Sequence, residues 1–255
     1  MRILIKFGSS LTSKNNKFNQ ELIKQKVQEI SDLHKKGNEI IIVSSGAVAC
    51  GMEINSLVSR PKETLKLQLL SGEGQVLLMN YYKQFFDKEK IKISQVLLTH
   101  HNLDTSEEKT AIVNILNSYL TEKIIPIINE NDLINKEEFE KNKLFTDNDI
   151  LAALVAKEMK VDLLVLLTDV DGLFSSNPKN SSEVNFISEA PVITDEIKAM
   201  ASKETNSLGL GGMYSKVLAA EMMANEKIDT IVANGNKNLI EVLENKARRT
   251  LFKGK

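Results

Sequence analysis

The chain has a single cysteine, Cys50, and three histidines, His34, His100 and His101, in 255 residues. A lone cysteine cannot close an internal disulfide, which fits a reducing cytosol. With adjacent His100 and His101 reading as a loop pair, these four residues cannot build a zinc site of the usual kind. An excess of either charge is also missing, since 33 Lys and Arg stand against 34 Asp and Glu. That balance gives no electrostatic case for nucleic acid or a membrane surface as partner. No apolar stretch is long enough to span a bilayer, and Met1 to Lys6 leads into a strand-like run instead of a signal peptide. A soluble, cytoplasmic protein is expected. Internal repeats, low-complexity tracts and linker-like stretches are absent. One domain over residues 1–255 is therefore the economical reading, at a length normal for a large α/β unit.

What the chain does have is an alternation of strand and helix patterns. Arg2 to Phe7 predicts a short buried strand, stopped by Gly8-Ser9-Ser10. Ile23, Val27, Ile30 and Leu33, at helical spacing, predict a helix from Asn19 to about Lys36 with Gly37 as its stop. Further strands are predicted at Glu39 to Val43, Ile93 to Leu98, Ile124 to Ile128, Leu163 to Leu167 and Thr230 to Ala233. Further helices are predicted from Pro61 to about Phe86, from Glu107 to Leu120, and from Met213 to about Glu226. The first of these carries Leu and Met on more than one side, as in a helix that is deeply packed or part of a subunit interface. The strands are continuous Ile, Val and Leu runs. That pattern predicts an α/β fold, a three-layer α/β/α sandwich with a mostly parallel central sheet.

In open α/β sheets, ligands lie off the carboxyl ends of the strands. Gly8-Ser9-Ser10, Ser44-Ser45-Gly46, Asn129 to Asp132 and Thr168 to Gly172 each follow a predicted strand. Any one of them would be an ordinary turn; together they predict a site at one sheet edge. Leu144-Phe145-Thr146-Asp147-Asn148-Asp149 runs into the apolar Ile150 to Ala156, which reads as a loop feeding a helix N-terminus. One Asp or Asn would suffice as a cap. Three in a row leave groups free to aim into a cleft, one carboxylate holding lysines and the others a small zwitterion. Lys6 lies in an apolar strand beside a glycine loop, where a charge needs a partner or a ligand. Gly211-Gly212 opens a helix with Lys216 one turn inside, an arrangement suited to an anion. Two lysines and two glycine loops suggest a phosphoryl group held from two sides. Val217 after Lys216 breaks the Walker loop, and Tyr214 breaks the dinucleotide fingerprint. Asp169-Val170-Asp171-Gly172 has its glycine too early for a calcium loop.

Six motifs occur in a fixed order: Lys6-Phe7-Gly8-Ser9-Ser10, Val43-Ser44-Ser45-Gly46-Ala47, Ile128-Asn129-Glu130-Asn131-Asp132, Asp147-Asn148-Asp149, Leu167-Thr168-Asp169-Val170-Asp171-Gly172-Leu173 and Gly209-Leu210-Gly211-Gly212-Met213. In them the chain resembles the amino acid kinase family along nearly its full length, and within it the members that phosphorylate glutamate. The resemblance implies transfer of the γ-phosphoryl of ATP, with Mg²⁺, to the side-chain carboxylate of L-glutamate, the first step of proline synthesis. It implies Lys6, Asp149 and Lys216 as catalytic residues, the lysines on the phosphates and Asp149 orienting both. It places Ser45, Asn129, Asp132, Asp147 and Asn148 on glutamate. On ATP it places Lys6, Gly8, Thr168, Asp169, Leu210, Gly211, Gly212, Met213, Tyr214, Ser215 and Lys216. The N-terminal part would bind the acid and the C-terminal part ATP. No dedicated metal cage is expected, because Mg²⁺ bridges substrate phosphates and keeps waters. Leu210 and Tyr214 stand where the family usually has a threonine and a small residue. The C-terminal RNA-binding-like domain of many relatives is expected to be lacking. A homodimer or higher homo-oligomer is expected through the 61–86 helix. Two other readings stay open: a kinase of the same fold acting on another acid or a phosphorylated acceptor, and a non-catalytic nucleotide-binding sensor.

Overall fold

Side chains along a strand alternate between its two faces, so a strand apolar at every position needs a covering layer on each side. In the computed structural model, which describes residues 1–134, 148–176, 184–202 and 212–254, that requirement is met. Eight strands form the central sheet: β1 (Arg2–Phe7), β2 (Glu39–Val43), β3 (Ile93–Leu98), β4 (Ile125–Glu130), β5 (Leu163–Thr168), β6 (Glu189–Ala190), β7 (Asp229–Asn234) and β8 (Arg249–Phe252). Their order across it is β6-β8-β7-β5-β1-β2-β4-β3. From β7 to β3 neighbouring strands are parallel. At the other edge β8 runs antiparallel to β7 and carries β6 alongside.

The longer helices are α1 (Gln20–Lys35), α2 (Ala47–Ile54), α3 (Thr64–Lys88), α4 (Ser106–Thr121), α5 (Asn148–Glu158), α6 (Asp195–Ser202) and α7 (Met213–Asn225). One core joins Ile3, Ile5 and Phe7 of β1 to Ile23 and Val27 of α1 and to Leu78 and Tyr82 of α3. The other joins Leu4 of β1 to Leu116 of α4, Ala153 of α5 and Val217 of α7. The three-layer α/β/α sandwich with a mostly parallel sheet is therefore observed.

Each strand and helix expected from the sequence over described residues is present, with ends shifted by a few residues. The helix expected from Pro61 starts at Thr64, and its sides differ: Leu67, Leu70 and Leu78 are buried, whereas Leu65, Leu69 and Val76 are exposed. The helix expected after Asp149 begins at Asn148, so Asn148 and Asp149 lie in its first turn instead of ahead of it. Acidic groups suit that turn, where backbone N–H groups lack partners. The charged excursion from Asn135 to Lys143 lies outside the described residues.

Two close approaches set the geometry near the carboxyl ends of the strands. Gly46 caps α2 with φ +109, and a Cβ there would also press on Thr12 and Phe18. Where α2 crosses α3, a Cβ on Gly51 would collide with the Leu70 carbonyl and one on Gly74 with the Ala47 carbonyl. The crossing therefore brings two backbones together with no side chain between them.

Candidate active site

Lys6 shares strand parity with Leu4, so it faces the layer holding α5 and α7 and not the layer of α1 and α3. Asp149 sits in the first turn of α5 and Lys216 in the first turn of α7. All three meet. Lys6 Nζ lies 2.6 Å from Asp149 Oδ1, and Lys216 Nζ lies 2.9 Å from Asp149 Oδ2. The Ser215 hydroxyl donates to the same Oδ2 at 2.7 Å. The side chains of Lys6, Asp149 and Lys216 are 3%, 0% and 2% exposed. Burial by itself would raise the Asp149 carboxyl. The ammonium groups of Lys216 and Lys6, with the hydrogen bonds from Lys6 and Ser215, outweigh it and hold the group below the usual carboxylate range. Two cations share one carboxylate in a place with little water, an arrangement suited to an anionic ligand.

A second polar group adjoins the first through Asn148. Its Nδ2 donates to the Ser44 carbonyl at 2.9 Å and to Ser45 Oγ at 2.8 Å, with Asn129 Oδ1 at 3.3 Å. Asn129 in turn donates to Gln75 Oε1 at 2.9 Å. The Ser71 hydroxyl donates to Asp132 Oδ2, and Gln68 donates to the Asp132 carbonyl at 2.9 Å. Tyr82, buried on the same helix, pairs with the Ser44 hydroxyl at 2.9 Å. Two buried acceptors, Asp132 Oδ1 and Asn148 Oδ1, have no hydrogen-bond partner among the described residues. Such atoms are costly unless a donor arrives, and an ammonium group carries three.

The third group lines the β1–β5 boundary, where β2 and β5 leave β1 on opposite sides. Gly8 N–H donates to the Leu167 carbonyl at 3.0 Å. Ser10 Oγ and Thr168 Oγ1 donate to Asp169 Oδ1 at 3.3 and 3.2 Å, and Asn234 reaches Asp171 at 3.1 Å. Gly212 stands at the head of α7, and no atom of the described residues lies within 4 Å of where its Cβ would be. Met213 is buried in the core, and Tyr214 packs half-buried against it. Asp147, Leu210 and Gly211 lie outside the described residues.

The sequence reading missed Gln68, Ser71, Gln75 and Tyr82 on α3. A signal was available: polar residues at i, i+3 and i+7 share one helix face, here on a helix otherwise rich in Leu.

A sequence profile described as the amino acid kinase family matches residues 1–234. The chain belongs to the amino acid kinase family. Within the family it is similar to the glutamate 5-kinase of Streptococcus thermophilus, 40% identical over 99% of this chain and 96% of that one. The glutamate 5-kinase of Ligilactobacillus salivarius (strain UCC118) is also 40% identical, over 98% of this chain and 95% of the relative. Solved structures share the amino acid kinase fold at lower identity. UMP kinase from Ureaplasma parvum aligns with a TM-score of 0.66 at 16% identity, covering 99% of this chain and 98% of that one. Carbamate kinase from Giardia lamblia bound to AMP-PNP aligns with a TM-score of 0.68 at 15% identity, with the same coverage of 99% and 98%.

Proposed function

We infer that the chain transfers the γ-phosphoryl group of ATP to the side-chain carboxylate of L-glutamate, giving γ-glutamyl phosphate, the first step of proline synthesis. One observation carries this reading: two buried ammonium groups, far apart in sequence, meet on Asp149 where polar loops converge. Full-length likeness to proteins named glutamate 5-kinase supports glutamate as acceptor.

A carboxylate nucleophile has no proton to lose, so the reaction needs no general base. Its difficulty is repulsion between an anion and a polyanion, which alignment and charge stabilisation overcome. Lys6 and Lys216 would offset the charge that spreads over the transferring group, as compact point charges. Asp149, paired with both, would aim them and stay ionised throughout. On the acid side, Asp132 and Asn148 would accept from the ammonium of glutamate, with Ser45, Asn129 and Asp147 completing the pocket. On the nucleotide side, Gly8, Thr168, Asp169 and the segment from Leu210 to Lys216 would hold ATP. The N-terminal part thus serves the acid and the C-terminal part the nucleotide, within one domain.

ATP would arrive as its Mg²⁺ complex, the ion held by phosphates and water. Among the described residues no group of three or more His, Cys, Asp or Glu side chains could hold a metal. The ion would supply further charge neutralisation on the phosphates.

We also place the chain in the cytoplasm as a homodimer or higher homo-oligomer, which the exposed Leu65, Leu69 and Val76 of α3 favour. No described helix is long and apolar enough to cross a membrane.

The purified chain with glutamate, ATP and Mg²⁺ tests the reaction. ADP release that depends on glutamate, with the acyl phosphate trapped by hydroxylamine, is the expected result. ADP release with a different acid but not with glutamate overturns the choice of acceptor, and ATP binding without turnover overturns the kinase reading.

A further inference from the structure

Buried polar side chains inside a helix are expensive unless paired, and an apolar residue of similar size usually gives a more stable core. α3 nonetheless buries three of them on one face: Gln68 and Gln75, each 8% exposed, and Ser71, 4% exposed. Their partners lie at the end of β4 and in the segment that follows it. Gln68 donates to the carbonyls of Asp132 and Leu133 at 2.9 and 3.2 Å. Ser71 donates to Asp132 Oδ2, and Gln75 accepts from Asn129. The consequence for Asp132 is specific. One carboxylate oxygen is held by Ser71 and its backbone by Gln68, so tilting the carboxylate plane away from this setting breaks a hydrogen bond. Oδ1 is the oxygen left without a partner among the described residues. Gln75 does the same for Asn129 by taking its amide donor, which turns Asn129 Oδ1 toward Asn148.

We propose that Ser71, with Gln68 and Gln75, is a positioning residue that sets affinity for the acid substrate by fixing how Asp132 and, through Asn129, Asn148 present their open acceptor oxygens to its ammonium group. The proposal rests on the glutamate kinase reading and deepens it. None of the three is asked to touch substrate. Ser71 acts through Asp132, and its loss lets the carboxylate turn toward whichever donor remains. An interaction of this kind is made equally with bound substrate and with the transition state, so its loss shows in KM and leaves kcat nearly alone.

The test compares the wild-type chain with Ser71→Ala, Asp132→Ala and the double variant, with kcat and KM for both substrates. Ser71→Ala is expected to raise the KM for glutamate about tenfold, the scale for a hydrogen bond to a charged group. The KM for ATP and kcat at saturating glutamate should change less than about twofold. In the Asp132→Ala background, Ser71→Ala should have no further effect on kcat/KM for glutamate, which a general packing role would not produce. If Ser71→Ala does not fold, Gln68→Met keeps the side-chain length, removes the donor and reads the same coupling. Equal effects of Ser71→Ala with and without Asp132, or a loss confined to kcat, overturn the proposal while leaving the kinase reading intact. A wild-type chain that turns over no glutamate overturns both.

Discussion

Asp149 stays ionised with almost no water around it because two ammonium groups and a hydroxyl surround it. Removing one partner of a buried charge cluster leaves the others exposed to the full desolvation penalty. Asp149→Asn should therefore destabilise the fold by about 3–5 kcal/mol at neutral pH, read from urea unfolding. The pH dependence has a definite sign. The folded-state carboxyl titrates below its ordinary value of 3.8, so its stabilising contribution is complete above that value and drains away as pH falls further. The stability gap between wild type and Asp149→Asn should thus be constant from pH 6 to 8 and narrow at about pH 3. In turnover, Lys6→Ala and Lys216→Ala should each lower kcat about 10²-fold or more, the scale for losing a transition-state donor. Near-normal kcat in both would remove the assigned roles. Asn148→Ala should mainly raise the KM for glutamate; an effect confined to ATP would put Asn148 in the wrong pocket. These residues were legible in sequence because each breaks an expectation: a lysine in an apolar strand, an acid beyond the need of a cap. Gln68 and Ser71 were missed, because the polar face they share reads as the solvated side of a 25-residue helix until the facing loop is known.

Strands and long helices follow from local pattern, because two-sided burial leaves β1, β2 and β5 apolar at nearly every position and amphipathic spacing marks α1. Elements that escaped are short or lack a period. α2 spans eight residues with Ala47 to Met52 all buried, so no face stands out. β8 has four residues and exists through its antiparallel pairing with β7. The contact that locates α2 is the glycine crossing on α3. Gly74→Ala should therefore cost about 1–3 kcal/mol, the range for overpacking, and lower Tm by several degrees in a thermal melt. Because the added methyl meets the Ala47 carbonyl, two residues from Ser45, the same variant should raise the KM for glutamate.

The arrangement of the whole molecule explains why residues so far apart in sequence meet. A single parity choice in β1 sends Lys6 toward α5 and α7, and the parallel order puts the carboxyl ends of β1, β2, β4 and β5 along one edge. That convergence could be read from the loops, since polar clusters after successive parallel strands must share an edge. The exposed stripe of Leu65, Leu69 and Val76 on α3 belongs to this scale too. If it joins copies of the chain, Leu69→Glu with Val76→Glu should shift the mass found by light scattering toward that of one chain, and an unchanged oligomer would move the interface elsewhere. The bare backbone contact between α2 and α3 reaches furthest. The first turn of one helix adjoins Ser45 and the polar face of the other grips Asp132, so on the proposed assignment the width of the acid pocket would follow from two absent methyl groups. Trimming side chains cannot bring these two helices any closer, and a methyl added at either glycine would pry their main chains apart. On that assignment, acceptor size and heat tolerance would be tied to the same pair of glycines.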